Sequence, residues 1–233
     1  MLNDLKKNVC VANKLLPKYG LVTFTWGNVS EISSDRKYVV IKPSGVEYTK
    51  LKPEDMVVVD MKGKVVEGKL KPSSDLPTHL EIYRNFKNVN GICHTHSTFA
   101  TAWAQALIDI PTLGTTHADN FYGDIPVTRK LTKKEIENDY ELNTGKVIVS
   151  EFKKRKISYK EMNAVVVANH GPFTFGKTCK DAVINSVVLE EISKMDYISM
   201  NINPKCEKIK KELLDKHYLR KHGKNAYYGQ KNK

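Results

Sequence analysis

Nothing in this sequence approaches the roughly 20 consecutive apolar residues that a membrane-crossing helix needs, so no membrane span is expected. The opening residues, Met1-Leu2-Asn3-Asp4-Leu5-Lys6-Lys7, lack an apolar signal core, and a cytoplasmic location is expected. Cysteine is scarce. The four present, Cys10, Cys93, Cys179 and Cys206, form no C-x-x-C pair, which argues against a disulfide framework and suits reduced thiols. Internal repeats, low-complexity linkers and composition breaks are missing too, so the 233 residues are expected to form one domain, 1–233, although size alone would allow two. Acidic residues are outnumbered, 26 against 38 lysines and arginines, which leaves a net charge of +12. Such a balance raises nucleic acid as a partner, but the lysines are dispersed and interleaved with acids, as between Lys205 and Lys216. With no RNA-binding aromatic signature or helix-turn-helix spacing, no nucleic-acid partner is expected, and a positive field also favours small anionic substrates. What is present, 40% hydrophobic and 27% charged residues, is the composition of a soluble protein with a substantial core.

Hydrophobic periodicity predicts a helix over residues 2–16, closed by Pro17 and Gly20. Leu21 to Trp26 is a short β-prone run, and Tyr38-Val39-Val40-Ile41 reads as a strand. Met56 to Asp60 and Lys64 to Val66 predict a hairpin around Lys62-Gly63. Pro72 to Pro77 is a turn into a helix with Leu80, Tyr83 and Phe86 on one side, and Ser97 is positioned to cap a helix through Ala106. A polar loop between Pro111 and Pro126 precedes a charged helical region, Lys133 to Lys156, expected to break near Gly145. Asn163 to Ala168 predicts a core strand, Phe173 to Phe175 a short one, Asp181 to Met195 a helix, and Pro204 to Tyr218 the last helix before a turn-rich tail. Strands alternating irregularly with helices imply an α/β protein with a mixed sheet covered by helices.

The chemistry concentrates at Gly91-Ile92-Cys93-His94-Thr95-His96-Ser97. An apolar lead-in ending in His-x-His reads as a strand end, where alternation puts both imidazoles on one face, roughly 7 Å apart at Cα. Neutral histidine is the commonest metal ligand near pH 7. A third candidate, His170, follows another strand-like run, Ala164 to Ala168. Three histidines at two strand ends leave a zinc position open, as a catalytic site requires; by spacing alone the first two serve equally as ordinary strand polars, and His170 as a turn residue. Gly27-Asn28 and Ser44-Gly45 each pair a glycine with a small polar donor, and Ser73-Ser74 adds hydroxyls at a helix start, a combination suited to an anion. Each pair alone is also a commonplace turn, and Asp75 an ordinary first-turn acid. Asp119, in Gly114-Thr115-Thr116-His117-Ala118-Asp119-Asn120, fits a general acid or base or a turn. Tyr227 and Tyr228 stand in a polar tail as surface residues, docking anchors or proton donors.

The motifs Thr25-Trp26-Gly27-Asn28-Val29-Ser30, Ile41-Lys42-Pro43-Ser44-Gly45-Val46, Lys71-Pro72-Ser73-Ser74-Asp75, His94-Thr95-His96-Ser97 and Gly114-Thr115-Thr116-His117-Ala118-Asp119 stand in a familiar order. With Asn169-His170-Gly171-Pro172-Phe173, the segment Leu214 to Gly223, and Ala226-Tyr227-Tyr228-Gly229-Gln230, the chain resembles, end to end, the L-ribulose-5-phosphate 4-epimerase branch of the class II sugar-phosphate aldolase/epimerase superfamily. The resemblance implies a three-layer α/β/α fold with a central mixed, mostly antiparallel sheet. It implies a metal-dependent isomerase that interconverts L-ribulose 5-phosphate and D-xylulose 5-phosphate, as in L-arabinose catabolism; the alternative is a related aldolase of the L-fuculose-1-phosphate type. His94, His96 and His170 match the family's zinc ligands, with Mn2+ or Co2+ acceptable to the same donors. Asp75 matches the acidic position beside the metal, where the aldolase branch is expected to carry a glutamate. Gly27, Asn28, Ser44, Gly45, Ser73 and Ser74 match the phosphate-binding loops. Asp119 and Tyr228 match the acid/base pair, with the tyrosine delivered by a neighbouring subunit of a homotetramer through a C-terminal tail from about 219 to 233. Lys42, Thr115, Glu141 and His217 match supporting positions. The Lys231-Asn232-Lys233 extension departs from the family pattern.

Overall fold

The computed structural model describes residues 2–229; Gln230 and the Lys231-Asn232-Lys233 extension lie outside them. The first helix, α1 (Leu2–Lys18), buries Val9, Ala12 and Leu16 along one stripe. It ends where Gly20 adopts φ +67° and the Leu21 amide donates to the Leu16 carbonyl at 3.0 Å, a left-handed termination that glycine favours. Leu21 to Trp26 forms no strand. Trp26 N donates to Thr23 O at 3.1 Å around Phe24 at φ +51°, and the aromatic pair stays exposed, Phe24 at 81% and Trp26 at 52%. β-propensity rewards a half-buried pleated surface, and this segment has no partner strand among the described residues.

The sheet runs from β1 (Asn28–Ile32) through β2 (Tyr38–Ile41), β3 (Val57–Asp60), β4 (Val65–Glu67), β5 (Gly91–His94), β6 (Ala164–Val167) and β7 (Gly171–Gly176), in the order β4-β3-β2-β1-β5-β7-β6. Every strand ladder among the described residues is antiparallel; parallel pairing is confined to the isolated Val127–Val166 bridge. The predicted hairpin forms as β3–β4, with a register shift between Val58 and Val59.

Strand alternation divides the core in two. Val29, Val40, Val58 and Cys93 face α1 and the start of α7 (Cys179–Ile202). Val39, Ile41, Val57, Val59 and Ile92 join the opposite cluster with α2 (Leu76–Asn85) and α6 (Tyr140–Arg155). This is the expected three-layer α/β/α arrangement. The charged helical region does break, but at Asn138-Asp139, between α5 (Lys133–Glu137) and α6, with Asp139 at φ +52°. Gly145 instead lies inside α6, where an added Cβ would fall 2.7 Å from Glu81 Cβ and 3.0 Å from the Thr78 carbonyl. Its role is to let α6 lie close against α2.

Helix α3 (Thr98–Ala106) starts where predicted, yet Ser97 makes no side-chain cap. Glu190 of α7 takes its place, accepting from Phe99 N at 2.8 Å and Ala100 N at 3.0 Å. The Pro111–Pro126 loop contains a single helical turn, α4 (Thr115–Ala118). The last helix, α8 (Lys211–His222), begins later than Pro204, because the preceding segment turns at Asn203 and ties Ile209 N to Thr112 O at 3.0 Å. Among the described residues no helix is long and apolar enough to cross a membrane.

Candidate metal centre

The register of three neighbouring strands assembles the site. Asn28 of β1 pairs with His94 of β5, and His94 with Phe173 of β7, so these residues stand in one row on the sheet face that carries α2 and α6. His96 follows two residues on, with the same parity. His170 arrives through a tight turn between β6 and β7, in which Asn169 sits at φ +59° and His170 N donates to Val167 O at 3.0 Å; asparagine tolerates this left-handed conformation. Gly171 then lets the turn close against β5, since a Cβ there would lie 2.8 Å from the Thr95 carbonyl.

The three imidazoles form a near-equilateral cluster, with ring centroids 4.9 Å (94–96), 4.8 Å (94–170) and 5.1 Å (96–170) apart. One ligand nitrogen from each lies within 4.8 Å of the others. His94 Nδ1 donates to the Pro172 carbonyl at 2.9 Å, which leaves Nε2 with its lone pair, 3.1 Å from His96 Nε2. Two nitrogens on one tetrahedral zinc, each at about 2.0–2.1 Å, stand about 3.3 Å apart, so the spacing fits a shared cation. Burial, reinforced by the neighbouring imidazoles, pushes His96 down to about 4 and His170 to about 3, which keeps both neutral and able to ligate.

Asp75 stands at the start of α2 without capping it; its Oδ2 accepts from Asn28 Nδ2 at 2.6 Å. Burial opposes its ionisation, but the surrounding imidazoles and the Asn28 amide outweigh that and hold the carboxyl below its ordinary range. The converging ligand set among the described residues is the three histidines; Asp75 lines the same cavity beside them.

That cavity, about 490 Å³, is lined by Gly27, Asn28, Ser44, Gly45, Ser73, Ser74, Asp75, His94, His96 and His170, together with Thr25, Trp26, Lys42, Pro43, Tyr140 and Glu141. The three small-residue loops therefore converge. Two are strapped together by Ser44 N to Lys71 O at 3.0 Å and Ser73 N to Lys42 O at 2.9 Å. Gly27, at φ +89°, is packed so tightly that a Cβ would sit 2.6 Å from the His94 carbonyl. Lys42 is buried with its ammonium 4.9 Å from the Tyr48 ring centroid, and burial lowers it to about 8.

Asp119 and Tyr228 do not line this cavity. Asp119 ends α4 and is gripped by α8: Arg220 donates to both carboxylate oxygens, at 2.9 and 2.7 Å, and His217 Nδ1 lies 3.1 Å away. Burial works against the charge, but these partners dominate and hold the Asp119 carboxyl below its ordinary range. Tyr228, 59% exposed, lies over Arg220, 4.8 Å from ring centroid to guanidinium carbon. The two residues thus share one cationic surface of the chain. His217 belongs to that surface, while Glu141 and Lys42 belong to the cavity; Thr115 opens α4 and does not line the cavity. Tyr140 was not among the candidates read from the sequence. Its hydroxyl is 3.3 Å from His170 Nδ1, and the only local signal was its place beside Glu141.

A seven-stranded antiparallel sheet with an imidazole triad at the floor of a polar cleft defines the class of protein. Residues 7–197 match the family model described as Class II Aldolase and Adducin N-terminal domain; the chain belongs to that family. Among solved structures it is similar to an L-fuculose 1-phosphate aldolase, with 25% identity over 93% of this chain and 95% of the other and a TM-score of 0.79. A second L-fuculose 1-phosphate aldolase, from Glaciozyma antarctica PI12, shares the fold at 18% identity, covering 94% and 81% of the two chains, TM-score 0.77. YgbL from Escherichia coli, titled a putative aldolase/epimerase/decarboxylase, does so at 22% identity, covering 92% and 98%, TM-score 0.73.

Proposed function

We propose that this chain is a metal-dependent L-ribulose-5-phosphate 4-epimerase, a cytoplasmic isomerase acting as one domain within a homotetramer. The observation that carries the reading is the meeting of three clustered imidazoles with three donor-rich loops in one cavity. Asp75, Asp119 and the Tyr-Tyr-Gly motif at 227–229 favour the epimerase branch over the aldolases.

The C4 proton of a ketopentose phosphate is not adjacent to the carbonyl, so direct deprotonation is a poor route to epimerisation. Cleavage of C3–C4 gives an enediolate and glycolaldehyde phosphate, and rejoining through the other aldehyde face inverts C4. His94, His96 and His170 would hold a divalent cation, zinc first, and such an ion would supply Lewis acidity for the charge that develops on the enediolate. The loops at Gly27-Asn28, Ser44-Gly45 and Ser73-Ser74 hold the phosphate, so that the aldehyde fragment turns without escaping. Lys42, easily deprotonated for a lysine, adds positive charge at the same wall. The C4 hydroxyl must lose a proton before cleavage and regain one on the opposite face, which asks for two acid/base groups. Asp119 and Tyr228 fill those roles from a neighbouring subunit, whose cationic surface closes the cleft.

The test is turnover of L-ribulose 5-phosphate to D-xylulose 5-phosphate in a coupled assay, with chelator-treated and zinc-restored samples alongside. Metal-dependent xylulose 5-phosphate supports the reading. Release of glycolaldehyde phosphate and dihydroxyacetone without xylulose 5-phosphate would replace it with an aldolase.

A further inference from the structure

The three histidines are not held alike. His94 has its Nδ1 proton fixed by a main-chain carbonyl of β7, a partner that no side-chain change removes. His170 sits in a turn, and its Nδ1 faces a side chain instead, the Tyr140 hydroxyl at 3.3 Å, with the two rings inclined by 29° and their centroids 6.0 Å apart. Tyr140 is itself rigidly placed. It is the first residue of α6, directly after Asp139 at φ +52°, and the next carbonyl, that of Glu141, accepts from Thr78 Oγ1 of α2 at 2.5 Å. The close approach at Gly145 fixes α6 on the same helix. The corner at Asp139 therefore carries the hydroxyl to the Nδ1 edge of the His170 ring.

A neutral imidazole has one proton, and the nitrogen that keeps it cannot ligate. We propose that Tyr140 is a positioning residue of the metal centre: its phenolic oxygen accepts the His170 Nδ1–H and so keeps the Nε2 lone pair directed at His94 and His96. This rests on the metal reading of the triad but not on the identity of the sugar. Partners of this kind behind ligating histidines are worth about 10- to 100-fold in metal affinity or activity.

The experiment uses the metal-stripped full chain titrated with Co2+, followed by its visible absorption. Tyr140→Phe keeps the ring and is expected to weaken Co2+ binding about 10- to 100-fold, with the melting temperature of the metal-free protein unchanged. Nitrogen-15 spectra of the metal-free wild type are expected to place the His170 proton on Nδ1, and those of the variant to show it redistributed to Nε2. Equal Co2+ affinity in the two proteins overturns the proposal, as does a wild-type His170 protonated on Nε2, which needs no variant to observe. A wild type that binds no Co2+ overturns it together with the metal reading. Tight Co2+ binding that depends on Tyr140, in a protein that turns over no L-ribulose 5-phosphate, upholds it while the epimerase reading fails.

Discussion

Asp196, on α7, is a carboxylate in the wrong surroundings. It is 4% exposed, and its Oδ2 has no hydrogen-bond partner among the described residues. The same is true of His117 Nδ1, which faces that oxygen at 4.0 Å. The Nε2 of His117 donates to the Gly123 carbonyl at 2.9 Å, so Nδ1 is a bare acceptor facing the carboxyl, and nothing there offsets the burial of a charged Asp196. Burial, with the charge of Asp124 nearby, pushes Asp196 up from 3.8 to about 7; Asp124 itself is offset by Lys208 and by the Thr112 amide at 2.9 Å. Between these two values the folded chain holds a proton that the unfolded chain has released, so stability falls as pH rises. From pH 5.5 to 7 that loss is about 2 kcal/mol at about 1.4 kcal/mol per pH unit. Asp196→Asn removes the titration and offers an amide donor to His117. His117 is itself driven down to about 4 by burial, which makes stability rise with pH up to its ordinary range, but this contribution is common to both proteins and cancels in the comparison. The variant should therefore gain on the wild type by about 2 kcal/mol between pH 5.5 and 8, or about 4–8 °C in Tm at this chain length. Urea and thermal unfolding at the two pH values measure it. Parallel pH profiles for the two proteins would refute the argument.

His96→Asn is expected to lose bound metal and activity together, read by metal analysis and the epimerase assay; full activity without metal would defeat the assignment. Gly27→Ala introduces a Cβ 2.6 Å from the His94 carbonyl at φ +89°, and should cost about 1–3 kcal/mol in unfolding free energy while weakening Co2+ binding. Gly145→Ala should also destabilise, by about 1–3 kcal/mol, despite alanine's better helix propensity; a gain in Tm would show that α2 and α6 are not in close contact there. Because Asp119 and Tyr228 share the surface around Arg220, mixed Asp119→Asn and Tyr228→Phe subunits should not rescue each other. Mixed His96→Asn and Tyr228→Phe subunits should recover activity, since one supplies an intact cavity and the other an intact surface.

The histidine strand and the three loops were legible because their information is local. Strand parity decides the facing of His94 and His96, and small polar residues beside glycine mark loops open to an anion. The strands at Tyr38–Ile41 and Ala164–Val167 were equally plain, being dense in β-branched residues. What failed depended on distant partners. Leu21 to Trp26 has the residues of a strand but nothing to pair with. Gly145 looked like a helix break because a contact with Glu81 and Thr78 is invisible along the chain. The role of Tyr140 needs a left-handed Asp139 and the packing of α6 on α2. Asp119 was marked, but its grip by Arg220 and His217 spans about a hundred residues of sequence.

The occupation of the α3 N-terminus by Glu190 has a consequence for the direction in which a substrate lies. That helix opens two residues after His96, and free amides at a helix start are a natural seat for a phosphate. Here the chain supplies its own anion, so the seat nearest the imidazoles on that side is closed. On the proposed reading, a sugar carrying one phosphate would therefore dock that phosphate at the Gly27, Ser44 and Ser73 loops and enter the cleft in one orientation.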